Sequence, residues 1–106
     1  MFDFIKKLFG GGNKKELIQD ALQRGALIID VRTPGEFGSG HIKGAKNIPL
    51  QQIGKEAAIL KKAGKPVIVC CASGMRSAQA KSILSTKGIE VINGGGWMKL
   101  QHLMQA

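Results

Sequence analysis

Six consecutive apolar residues, PVIVCC at positions 66–71, limit most tightly what this chain can become. A run that short, with no polar residue alternating in it, suits a strand covered on both faces better than an amphipathic helix. The small-residue stretch ASGMR comes next at 72–76, and then Ala80, Ile83 and Leu84 recur at helical spacing over 77–87, with Gly88 as a stop. Strand, tight loop and helix in that order place Cys71 at the carboxyl end of a central strand.

The rest of the chain repeats the alternation. Leu17, Ile18, Ala21 and Leu22 share one helical face over 14–24, ended by Gly25, and ALIIDV at 26–31 is a second buried strand. Residues 33–40 form a loop with one helical turn after Pro34, and 45–50 form a short strand with Pro49 near its end. Ile53, Ala57, Leu60 and Ala63 mark a helix over 51–63 stopped by Gly64. A last strand at 89–92, a turn at 93–96 and a closing helix at 97–105 complete the pattern. Strands alternating with helices predict an α/β fold: a mainly parallel sheet, right-handed crossovers, and helices on both faces. Such sheets hold ligands beyond the carboxyl ends of their strands, where Cys71 lies.

At 106 residues, 43% hydrophobic, there is room for one domain with a real core. Residues 1–9 stand apart: Phe2, Ile5 and Phe9 fall on one helical stripe, Lys6 and Lys7 lie off it, and the glycines at 10–12 with Asn13 break the helical pattern. Residues 1–13 therefore read as an amphipathic appendage and hinge, and 14–106 as the domain. A helix so short needs a surface, either its own domain, a partner protein or a membrane face. Lys+Arg 16 against Asp+Glu 7 gives a formal charge of +9, which attracts anions of any kind. Nucleic acid is not the expected partner, because no dense basic block is interleaved with aromatics. Two adjacent cysteines make no disulfide framework, no run approaches the ~20 residues of a membrane span, and residues 1–15 do not resemble a secretory signal, so the expected setting is the reducing cytoplasm.

The loop carries the chemistry. Backbone N–H groups of Ala72, Ser73, Gly74, Met75 and Arg76, turned inward at a positive helix end, form an anion cradle, and a thiol at its rim is held partly as the thiolate that attacks. Gly74 allows the curl.

LIIDVRTPGEFGSGHIKGAKNIPL, VIVCCASGMRSA and INGGGW together resemble a single rhodanese domain, the sulfurtransferase family that handles thiosulfate and persulfides, over residues 14–106. Asp30 and Arg32 match its Asp-x-Arg strand end, Gly40, His41, Ile42, Gly44 and Ala45 its Gly-His-Ile-x-Gly-Ala segment, and Cys71, Gly74 and Arg76 its Cys-x-x-Gly-x-Arg loop. Relatives often carry an aromatic where Cys70 stands. The resemblance implies that Cys71 takes a sulfane sulfur from a donor such as thiosulfate and hands the persulfide sulfur to a thiol, a protein or, in vitro, cyanide. No cofactor is implied. The chemistry is consistent, since sulfite is a good leaving group and needs no general acid.

Several readings stay open. Arg76 either bonds loop carbonyls or faces the anion. Counting from Cys70 gives the Cys-x5-Arg spacing of cysteine phosphatases and some arsenate reductases, although the loop offers no acid for a poor leaving group. Neighbours on a strand point to opposite faces, so Cys70 is either a small buried hydrophobe or a resolving thiol in a strained vicinal disulfide. Asp30 and Arg32 either line the pocket or form a buried pair that orders the loops. His41 hydrogen-bonds within its loop beside the site, Trp97 anchors the core, and Glu36 with Phe37 rims the site. His41 and His102 make no metal set with the cysteines, so no metal is expected. A turnover enzyme and a persulfide carrier serving a protein partner both fit.

Overall fold

A computed structural model describes residues 13–105. Helix α1 (Lys14–Gln23) starts where the Asn13 side chain accepts the Glu16 N–H at 2.8 Å. Strand β1 (Leu27–Asp30) comes after it, then α2 (Pro34–Ser39), opened by a reciprocal Thr33–Glu36 capping box. Next come β2 (Lys46–Asn47), a 3-10 turn (Leu50–Gln52), α3 (Ile53–Ala63), β3 (Val67–Cys71), α4 (Met75–Thr86), β4 (Val91–Gly96) and α5 (Trp97–Met104). The four strands are parallel in the order β2-β1-β3-β4.

The central strand β3 is buried at all five positions, and its alternation feeds two cores. Val67, Val69 and Cys71 join Ile53, Leu60, Ala80 and Leu84 on the α3–α4 side, whereas Ile68 and Cys70 join Ile18, Ala21 and Leu100 on the α1–α5 side. Each large aliphatic side chain buried this way contributes about 1.5–3 kcal/mol.

Three boundaries differ from expectation. β2 is two residues long, because Leu50 already belongs to the 3-10 turn. α4 begins at Met75, two residues before the apolar periodicity becomes visible. Asn93, Gly94, Gly95 and Gly96 are strand, not turn: the pairing with β3 slips at Val69/Cys70, so that Cys70 faces Gly95 and Cys71 faces Gly96. Glycine is needed there for close approach. A methyl on Gly94 would meet Leu100 Cδ2 at 2.8 Å, and one on Gly96 would meet the Ala72 carbonyl oxygen at 2.9 Å. The expectations for residues 1–9 and the hinge lie outside the described residues.

Candidate active site

Cys71 ends β3, and the chain reverses through Ala72 and Ser73 into Gly74, whose φ of 103° permits the curl that starts α4. No side chain caps that helix. Instead the Gly74 N–H donates to Cys71 Sγ at 2.9 Å, so the sulfur takes the place of a capping acceptor at the positive helix end. Burial pushes the Cys71 thiol up, but hydrogen bonding with the Ser77 side chain and donation from the backbone N–H groups of Ser77, Gly74 and Ser73 outweigh it and leave the thiol below its ordinary value. Of the other loop side chains, Met75 is exposed and Ala72 contributes its carbonyl against Gly96.

Two residues that the sequence reading did not single out, Ser77 and Asn93, complete the site. Ser77 is fully buried; its Oγ accepts the Cys71 thiol hydrogen at 3.5 Å and donates to Asn93 Oδ1 at 2.7 Å. Asn93 Oδ1 also accepts the Gly95 N–H at 2.9 Å, and its Nδ2 donates to the Gly74 carbonyl at 3.4 Å. Asn93 thus ties β4 to both the hydroxyl and the loop. When the thiol ionises, the single Ser77 hydrogen can turn to the sulfur while Asn93 keeps the Gly95 N–H. A serine directly after the loop arginine was the available signal for Ser77, but Asn93 stood at the head of a glycine run that resembled a turn.

Arg76 turns to a partner that neither expectation named. Its guanidinium donates to both oxygens of Glu36, at 2.7 and 3.0 Å, because the capping box at α2 already orients that carboxylate through Thr33. The Arg76 pairing, with the Thr33 N–H, holds the Glu36 carboxyl down to about 2. Glu36 therefore does lie on the rim, as an ionised partner and not as an acid. Phe37 stacks on His41 with ring centroids 3.7 Å apart, and His41 Nδ1 donates to the Phe37 carbonyl at 2.7 Å.

Asp30 and Arg32 form the buried pair, with Arg32 Nη2 2.7 Å from Asp30 Oδ2 and also donating to the Gly40 carbonyl at 2.7 Å. Trp97 is half-buried and lies beneath that guanidinium, 4.9 Å from ring centroid to Cζ. The pair orders the β1–α2 and α2–β2 connections. Cys70 sits in the opposite core, where burial and then the charge of Asp30 push its thiol up to about 12. Both thiols are free. Among the described residues no cluster of His, Cys, Asp or Glu could hold a metal ion, and no helix is long and apolar enough to cross a membrane.

The family model of the rhodanese-like domain matches residues 14–102. The chain belongs to the rhodanese-like domain family. The rhodanese domain is 38% identical over 72 residues to the thiosulfate sulfurtransferase PspE of Escherichia coli (strain K12), covering 67% of this chain and 69% of that protein. It is 43% identical over 77 residues to the uncharacterised protein YqhL of Bacillus subtilis (strain 168), covering 72% of this chain and spanning only 60% of that longer relative. Among solved structures, a rhodanese with anions from E. coli superposes with a TM-score of 0.65 at 38% identity, covering 71% of this chain and 91% of that one. The fold and these relatives make the described residues a rhodanese-type transferase domain. The sulfur at the mouth of the loop is that of Cys71, and the ring counted from Cys70 is not the ring the loop forms, since that thiol faces the other core.

Proposed function

We propose that Cys71 carries a sulfane sulfur. The thiolate attacks the outer sulfur of thiosulfate, or of a persulfide donor, expelling sulfite or a thiolate and becoming a persulfide; a thiophilic acceptor then removes the outer sulfur and restores the thiolate. The Gly74 N–H held on Cys71 Sγ at 2.9 Å carries this reading, because the same donors that favour a thiolate favour the anionic persulfide. A hydrolase acting on phosphate esters would need an acid, and the carboxylate on the rim is kept ionised by Arg76. The activity for which PspE is named and the anions in the E. coli structure support a small anionic donor.

The acceptor is a thiol or a protein in vivo and cyanide in vitro. A carrier that serves a protein partner and barely turns over thiosulfate is the second reading, favoured by the neutralised Arg76. In either case residues 1–9 dock the domain to a protein or membrane surface, and two free thiols suit the cytoplasm. Intact-mass spectrometry after thiosulfate exposure and a cyanide chase tests the chemistry. One added sulfur atom, removed by cyanide, is expected in the wild type and in Cys70→Ser and not in Cys71→Ser. An adduct surviving in Cys71→Ser would overturn the assignment, and adduct formation without steady-state turnover would favour the carrier.

A further inference from the structure

The loop holds no uncompensated positive charge, since Arg76 gives both guanidinium branches to Glu36. Thiosulfate is a dianion, and its sulfonate end must point out of the loop while the outer sulfur meets Cys71. A cation does stand beside the strand that flanks the loop, supplied by a different element. Lys14, the first residue of α1, lays its ammonium over Gly95: a methyl built on Gly95 would meet Lys14 Nζ at 3.2 Å. Gly95 in turn abuts the loop, since a methyl on Gly74 would meet Gly95 Cα at 3.3 Å, and Gly74 is the residue whose N–H holds Cys71 Sγ. Lys14, Gly95, Gly74 and Cys71 are thus linked by successive contacts. Among the described residues no hydrogen bond or ion pair engages Lys14 Nζ, and the nearby Asn13 and Glu16 are bonded to each other.

We propose that Lys14 binds the anionic end of the sulfur donor and the sulfite that departs from it. The proposal rests on the sulfurtransferase reading above. An exposed lysine suits the task as a compact point charge on a flexible stem that can move outward with the leaving anion. It leaves the bond changes at Cys71 as they are and affects which donors reach it.

Alkylation of Cys71 tests this without requiring turnover. Iodoacetate and iodoacetamide deliver the same carbon to the sulfur, but only the first carries a charge, so their rate ratio reports the charge at the mouth. In the full chain, with labelling mapped to Cys71, Lys14→Gln should lower the iodoacetate-to-iodoacetamide ratio about threefold and Lys14→Glu by about tenfold. Lys14→Arg should keep the ratio, Lys15→Gln should leave it unchanged, and an unaltered iodoacetamide rate shows that the nucleophile is intact. With thiosulfate, Lys14→Gln should raise KM by a similar factor at nearly constant kcat. An unchanged ratio in both Lys14→Gln and Lys14→Glu, or an equal drop in Lys15→Gln, overturns the proposal. A ratio that falls in a protein showing neither adduct nor turnover with thiosulfate would uphold the cation at the mouth while sinking the donor reading.

Discussion

Cys70 and Cys71 are joined by one peptide bond and differ in almost everything else. Cys70 packs with Ile18, Ile68 and Leu100, close to the Asp30 carboxylate, and its thiol is pushed up to about 12. Cys71 lies as deep by exposure, yet it is met by N–H donors and a serine hydroxyl, and its thiol falls below the ordinary value. Burial alone therefore does not decide whether a sulfur reacts. The deciding factor is whether the groups around it favour the charged form, and here the pleat of a single strand assigns one sulfur to each environment.

The largest effect that tests this contrast is on reactivity. At neutral pH, iodoacetamide should modify Cys70 in folded Cys71→Ser at least about a thousandfold more slowly than it modifies Cys71 in the wild type, as the separation of thiolate fractions requires. Comparable rates would erase the distinction. Next comes the hydroxyl beneath the Cys71 sulfur. Ser77→Ala should move the alkylation midpoint of Cys71 up by about one pH unit and slow labelling about tenfold at neutral pH. Asn93→Asp should raise the midpoint as well, because a carboxylate competes harder for the Ser77 hydrogen and adds a like charge. Ser77→Thr, which keeps the hydroxyl, should restore most of the rate, so a purely packing role for Ser77 would show as equal loss in both variants.

The smallest effect concerns stability. The Cys70 thiol titrates later in the folded state than in the unfolded chain, so the unfolded state loses its proton first and stability falls as pH rises from 9.0 towards about 12. The slope from this group is about 1.4 kcal/mol per pH unit. Denaturant titrations of wild type and Cys70→Ala above pH 9 should diverge in that direction, the variant losing less. Parallel curves would mean that the Cys70 thiol titrates alike in the folded and unfolded states.

Much of this was visible in the residues. The unbroken apolar run before the loop announced a central strand, and its period of two already separated the sulfurs. Asp30 and Arg32 were readable as a buried pair because they stand where a buried strand ends. The features that stayed hidden depended on contacts between distant segments. Arg76 finds Glu36, 40 positions earlier, only because a capping box aims that carboxylate across the mouth. The glycines at 94–96 resembled a turn because glycine serves both bends and close approaches, and only the packing of Leu100 and Ala72 against them distinguishes the two. Ser77 and Asn93 carry no periodic signal, since their partners are each other, the sulfur and backbone groups of Gly74 and Gly95.

Trp97 offers a practical consequence. It is the only tryptophan in a chain without tyrosine, and its indole lies directly beneath the Arg32 guanidinium that Asp30 clamps. Its emission is therefore an intrinsic optical gauge of that clamp, against which loosening of the loops during ligand binding or partner docking can be monitored without attaching a dye.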